Sequence, residues 1–198
     1  MENSGLTQNE RVAVARLHAL LELLPTALDQ HLAPAGLTSF EFTLLEALNE
    51  SEPHRLRMSA LAARTNATLP RLSRVVTGLE RKGLVERASC LEDGRATNAQ
   101  LTDAGEAAYE ASRSLYATAV RRMVLDGLDA EGVTQLADLS YSILTKLDPD
   151  ARLKVTEAGR GCAADPALVD SADLGEVCAA DPAPLEAEAH ALEAARRI

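Results

Sequence analysis

Arg71, Arg74, Thr77 and Arg81 follow one another at intervals of three, three and four residues, with Thr68, Pro70 and Ser73 beside them. A guanidinium carries forked N–H donors that match a phosphate or the O6/N7 edge of guanine, and hydroxyls add short-range donors and acceptors. Leu72, Val75, Val76 and Leu79 lie between these residues at i, i+3, i+4 and i+7, the spacing of one apolar helix face. The stretch therefore reads as a two-sided helix, with one side for a core and the other for an anion. Its surroundings agree. Between Arg55 and Thr97 nine basic residues stand against four acids, although the whole chain of 198 residues has a formal net charge of -10. From Leu147 to Ile198 the balance reverses, with eleven acids against five basic residues. Overall charge is thus a misleading average, and the local basic patch is what an anionic partner would meet.

Other chemistries find little support. There is no phosphate-binding loop, no HExxH and no GxSxG, so an enzyme is not expected. Aromatic residues make up only 3% and Trp is absent, which argues against stacking platforms for bases or sugars. Three cysteines do not make a disulfide framework. Cys90 reads as a small half-buried residue, with Arg87 near enough to favour its thiolate. Cys162 and Cys178 each open a copy of "CAADPA", a repeated low-complexity piece without the close ligand spacing and His partners of a metal site. No metal or other cofactor is expected. No apolar run approaches the ~20 residues that span a bilayer, and Met1 to Glu10 lacks a signal pattern. The expectation is a cytoplasmic protein without a membrane partner.

The elements that must hold the basic face are mostly helical. Thr7 and Glu10 fit a capping box at the start of a broad apolar helix, which Pro25 should kink or break and which Pro34-Ala35-Gly36 ends. Thr38 is placed to cap a second helix bearing Phe42, Leu45 and Leu48. A polar loop from Asn49 to His54 leads to Leu56 in a short strand, then a short helix from Met58 to Thr65. Asn66 and Ala67 turn the chain into the two-sided helix, with Thr68 as N-cap, Pro70 in the first turn and Gly83 as stop. A β-hairpin follows, from Leu84, Val85 and Arg87 to Ala99–Leu101, with Asp93-Gly94 as its turn and Arg95 near its tip. Asp103 to Leu128 reads as one long helical stretch, and Val133, Leu136, Leu139, Ile143 and Leu147 mark another. Two short helices followed by a basic hairpin make a winged helix-turn-helix, in which the amphipathic helix suits the DNA major groove and an Arg on the wing suits the minor groove.

From Met58 to Ala111 the sequence resembles the MarR-type transcriptional regulators. The resemblance rests on Leu61-Ala62, on Leu79, Glu80, Lys82, Gly83, Leu84, Val85 and Arg87 at the end of the recognition helix, on Asp93 and Arg95 in the wing, and on Leu101, Thr102 and Gly105 at the next helix start. "GLTSFEFTLLEAL" resembles the second helix, and coverage runs from about Glu10 to Leu147. The fold implied is mainly α with a small β-wing, a winged helix-turn-helix within a helical dimerisation scaffold. Residues 1–36 and 102–149 would supply the dimerisation helices and 37–101 the DNA-binding domain. An acidic Ala/Pro/Asp-rich tail, 150–198, is expected to be partly disordered or loosely docked. The resemblance implies a homodimeric regulator, expected to be a repressor, on palindromic double-stranded operator DNA, tuned by a small aromatic or phenolic effector. Thr68, Pro70, Arg71, Ser73, Arg74, Thr77, Arg81, Asp93 and Arg95 are the candidate DNA contacts, with Asp93 orienting Arg95. His18, His31, Tyr109 and Tyr116 are the candidate ligand contacts. The alternative is a winged helix used only for protein contacts, which would not need Arg71, Arg74 and Arg95 together.

Overall fold

A computed structural model describes residues 5–89, 97–150, 152, 153 and 155. The helix α1 spans Gln8–Leu32 and opens with the expected capping box: the Thr7 hydroxyl accepts from the Glu10 amide, and the Glu10 carboxylate accepts from the Thr7 amide. Of the kink or break expected at Pro25, the break does not occur: α1 continues through it. Leu28 and Leu32, beyond the proline, are buried against the rest of the fold, and that packing holds the last turns helical despite one lost backbone bond. A 3-10 turn, Ala33–Ala35, ends at Gly36, whose φ of 70° is the left-handed conformation a glycine adopts without strain. Helix α2, Ser39–Asn49, starts from a second capping box, between Thr38 and Glu41.

The strand β1, Arg55–Arg57, leads into the short helix α3, Met58–Arg64. Helix α4, Leu69–Arg81, is the two-sided helix, and Gly83 reverses the chain after it at φ 72°. Strands β2, Val85–Ser89, and β3, Thr97–Leu101, form the antiparallel hairpin. β1 adds to its far side, so the sheet order is β1-β3-β2, with Leu56 opposite Ala99. Helix α5 covers Asp103–Val120. The long helical stretch expected to reach Leu128 continues from α5 directly into a π-helical turn, Arg121–Leu125, and a short turn then leads to α6, Ala130–Leu147. Glycine at 127 and the Asp129 side chain, which caps α6 by accepting from the Gly132 amide, fix the new start.

One core joins these elements. Leu72, Val76 and Leu79 of α4 are buried with Phe42, Leu45 and Leu48 of α2, Leu61 of α3, Val85, Ala99 and Leu101 of the sheet, and Tyr109 of α5. Each fully buried Leu or Val contributes about 1.5–3 kcal/mol by leaving water, so this core fixes α4 against the sheet. The two ends of the chain behave differently. No residue of α6 is buried, and Val133, Leu136, Leu139, Ile143 and Leu147 all lie open. On α1, Leu17, Leu20, Leu21 and Leu23 are likewise exposed. Among the described residues no helix is long and apolar enough to cross a membrane.

Candidate nucleic-acid interface

With Leu72, Val76 and Leu79 turned inward, α4 leaves Pro70, Arg71, Ser73, Arg74 and Arg81 exposed and Thr77 half-buried. Three of its cations, Arg71, Arg74 and Arg81, have no carboxylate partner among the described residues. Arg71 lies over the Phe40 ring, 4.2 Å from its centroid, a cation–π contact that holds the guanidinium without neutralising it. Arg74 donates from Nε to the Pro70 carbonyl at 3.3 Å.

Thr68 stands at the N-cap in an extended conformation, but its hydroxyl makes no capping bond, contrary to expectation. Pro70 removes the second helical amide as a partner, and the third, that of Arg71, is left without a bond from the Thr68 hydroxyl. Asp93 and Arg95, with the Asp93-Gly94 turn and Cys90, lie outside the described residues, as do Cys162 and Cys178 and the tail beyond residue 155.

Two further cations support the helix. Lys82 donates to both oxygens of Glu41, at 2.7 and 2.9 Å, and to the Gly36 carbonyl at 2.9 Å. This ties the end of α4 to the start of α2, where Glu41 is buried. Arg87 of β2 forms an ion pair with Glu80 and also donates to Ser73 and Thr77. Cys90, whose thiolate Arg87 is expected to favour, lies outside the described residues; among the described residues the guanidinium is engaged by Glu80. Periodicity gave no sign of this brace, because Arg87 belongs to another element. The signal available was the spacing of Ser73, Thr77 and Glu80 on one flank of the helix. Arg87 also borders a cleft of about 380 Å³ with Arg57, Met58, Ser59, Leu69, Ser73 and Thr97, between the starts of α3 and α4 and the sheet.

The ligand candidates do not converge as a group. Tyr109 and Tyr116 both meet Phe42, with ring centroids 5.4 and 4.2 Å away. His18 is exposed on α1, and exposed His31 has its Nδ1 3.1 Å from the Ala27 carbonyl. Neither the cleft above nor a smaller one, lined by Pro53, His54, Gln100, Leu101, Thr102, Asp103 and Glu106, includes any of the four. Burial, then the Glu46 carboxylate, push the Tyr109 phenol pKa upward, so it stays a neutral hydroxyl.

The comparisons with known proteins agree with this arrangement. The model of the MarR family matches residues 35–96. AbsC, a MarR family transcriptional regulator from Streptomyces coelicolor, is 34% identical; the match covers 73% of this chain and 98% of AbsC, with a TM-score of 0.69. This chain belongs to the MarR family of transcriptional regulators. Sco3205, a MarR family regulator from the same organism whose crystal structure is in complex with DNA, is 33% identical, with 75% of this chain and 97% of Sco3205 covered and a TM-score of 0.71. The transcriptional repressor YetL of Bacillus subtilis is 34% identical over 83 residues, which is 42% of this chain and half the length of YetL. Family membership bears out the winged-helix fold and the expectation that this MarR-family protein is not an enzyme. It also makes the open stripes on α1 and α6 a feature to be explained by function.

Proposed function

We propose that this MarR-family regulator binds double-stranded DNA through α4, as a homodimer on inverted operator sites, and represses transcription. The observation that carries the reading is the outward face of α4, where Arg71, Arg74 and Arg81 are exposed with no carboxylate partner among the described residues. An α-helix fits the major groove, about 12 Å wide, and its arginines reach guanine edges and phosphates there. Thr68, Pro70 and Ser73 complete the helix side of the surface, with Thr77 half-buried at its edge and engaged by Arg87, and Asp93 and Arg95 are the proposed wing contacts. The DNA in the Sco3205 crystal supports the reading, since that protein matches nearly all of its length to this chain.

The dimer follows from the ends of the chain, residues 1–36 and 102–149, flanking a DNA-binding unit of 37–101. A soluble monomer rarely keeps apolar stripes as long as those on α1 and α6 in water. Pairing them with a second copy covers both and places two α4 helices one DNA turn apart, about 34–36 Å. A small aromatic or phenolic effector would act by favouring one spacing of those helices over another. Tyr109 and Tyr116, already gathered at Phe42 between α2 and α5, are better placed for it than His18 or His31.

The test is a mobility-shift titration with DNA from upstream of the protein's own gene. Wild type should shift it, and the double substitution Arg71→Ala, Arg74→Ala should weaken binding by at least about 100-fold, at roughly 1–3 kcal/mol per lost contact. The protein-interaction alternative predicts no shift for either form.

A further inference from the structure

A serine or threonine hydroxyl has one hydrogen to give and two lone pairs to receive with. Which of these a DNA partner meets depends on what the protein has already used. On α4 the two hydroxyls differ. The Thr77 hydroxyl donates to the Ser73 carbonyl at 3.0 Å and accepts from both terminal nitrogens of Arg87 at 3.2 Å. Its hydrogen is taken and its oxygen faces a cation. Ser73 Oγ accepts from Arg87 at 3.3 Å, while the Ser73 carbonyl accepts from the same nitrogen at 3.0 Å. Its hydrogen has no acceptor among the described residues, and Ser73 is exposed. Glu80 fixes the guanidinium from the other side, so the donor fork is held toward both hydroxyls.

We propose that Arg87 is a positioning residue for DNA recognition: by engaging one lone pair of Ser73 and both of Thr77 it orients the Ser73 hydroxyl as a hydrogen-bond donor toward the DNA and withdraws Thr77 from readout. Ser73 then meets an acceptor, a phosphate oxygen or a base-edge acceptor such as guanine O6 or N7 or thymine O4. Arg87 acts through Ser73 and touches no DNA itself. This inference rests on the DNA-binding reading of α4.

The test is a double-substitution cycle on the full chain, read as equilibrium affinity for an operator duplex at several salt concentrations, with circular dichroism confirming the fold of each variant. Ser73→Ala should weaken binding about tenfold, the scale of one lost hydrogen bond at each of two half-sites. Arg87→Gln should do the same, and adding Ser73→Ala to it should cost almost nothing more. Thr77→Val should bind within about twofold of wild type, and Arg87→Lys should recover part of the loss. The salt slope of Arg87→Gln should equal that of wild type. A set of single base-pair operator variants separates the two acceptor classes: Ser73→Ala flattens the preference at one position if it meets a base, and lowers affinity for all alike if it meets a phosphate. Additive losses at Ser73 and Arg87, a salt slope reduced by about two in Arg87→Gln (one phosphate contact at each half-site), or a tenfold loss in Thr77→Val would overturn the inference. Should Arg87→Gln not fold, Glu80→Gln, which frees the guanidinium, must show the same coupling to Ser73 or the inference fails. Wild type binding no duplex would overturn the DNA reading itself; every other outcome bears on Arg87 alone.

Discussion

Gly105, in the first turn of α5, is where the wing meets the helix that leads to the chain's open apolar stripe. A Cβ at this position would sit 2.0 Å from the Leu84 carbonyl oxygen and 2.8 Å from Leu101 Cδ1. The oxygen belongs to backbone and cannot swing away. It also accepts from the Thr102 amide at 3.2 Å, while the Thr102 hydroxyl donates to Gly83 at 2.8 Å and accepts from Gly105 at 3.0 Å. Relief to the 3.4 Å of ordinary contact needs a shift of about 1.4 Å, enough to break the bonds to Leu84 and Gly83. Those two bonds are worth about 1 kcal/mol each, and residual overpacking adds about 1–3 kcal/mol. Alanine returns about 1 kcal/mol of helix propensity. Gly105→Ala should therefore lose about 3 kcal/mol, roughly a hundredfold in the folded-to-unfolded ratio. Urea unfolding followed by far-UV circular dichroism, at fixed protein concentration, measures it. An equal or higher midpoint with an unchanged slope would refute the close approach, since propensity alone would then decide.

Three other perturbations test the tie at the end of α4, a partly buried carboxylate of α2 and the apolar stripe of α6. Lys82→Met leaves the Glu41 carboxylate, 11% exposed, without its cation and should cost about 1–3 kcal/mol in the same assay, between the worth of an exposed pair and a fully buried one. Burial, then the neighbouring Glu50, hold the Glu46 pKa above the ordinary 4.5. Stability from that group is fully present below its unfolded value and is lost as pH rises through the raised folded value, so Glu46→Gln should stabilise at neutral pH and lose that gain below pH 4.5; an equal effect at both ends would contradict the assignment. Leu139→Glu, at a residue 66% exposed, should leave each subunit folded and halve the mass measured by sedimentation equilibrium; a persisting dimer would exclude α6 from the interface.

Much of the fold was legible because local rules and tertiary packing agree. The Thr7 and Thr38 capping boxes, the apolar face of α4 and the reversal at Gly83 are all short-range signals. Pro25 does not end the helix because Leu28 and Leu32 anchor the turns beyond it. The helical stretch after Asp103 was legible, but its change from α- to π-helical winding at Arg121–Leu125 was not, because the composition there continues the same pattern. Leu101, Thr102 and Gly105 were visible as a motif, but only the Leu84 carbonyl explains the glycine. The exposed arginines of α4 were also legible, since one helix supplies the whole face. The Arg87 brace, the Lys82–Glu41 tie and the Arg71–Phe40 contact were not, because each joins elements whose separation in sequence carries no periodic trace.

The central claim, a cationic α4 surface doubled by a twofold axis and matched to duplex DNA, is tested most directly by the salt dependence of operator affinity. Arg71, Arg74 and Arg81 give three such cations per subunit. If all six in a dimer meet phosphates, log affinity should fall against log salt with a slope near about -5, from -0.9 per contact. A flat dependence, or no binding to palindromic duplex even at low salt, would contradict it.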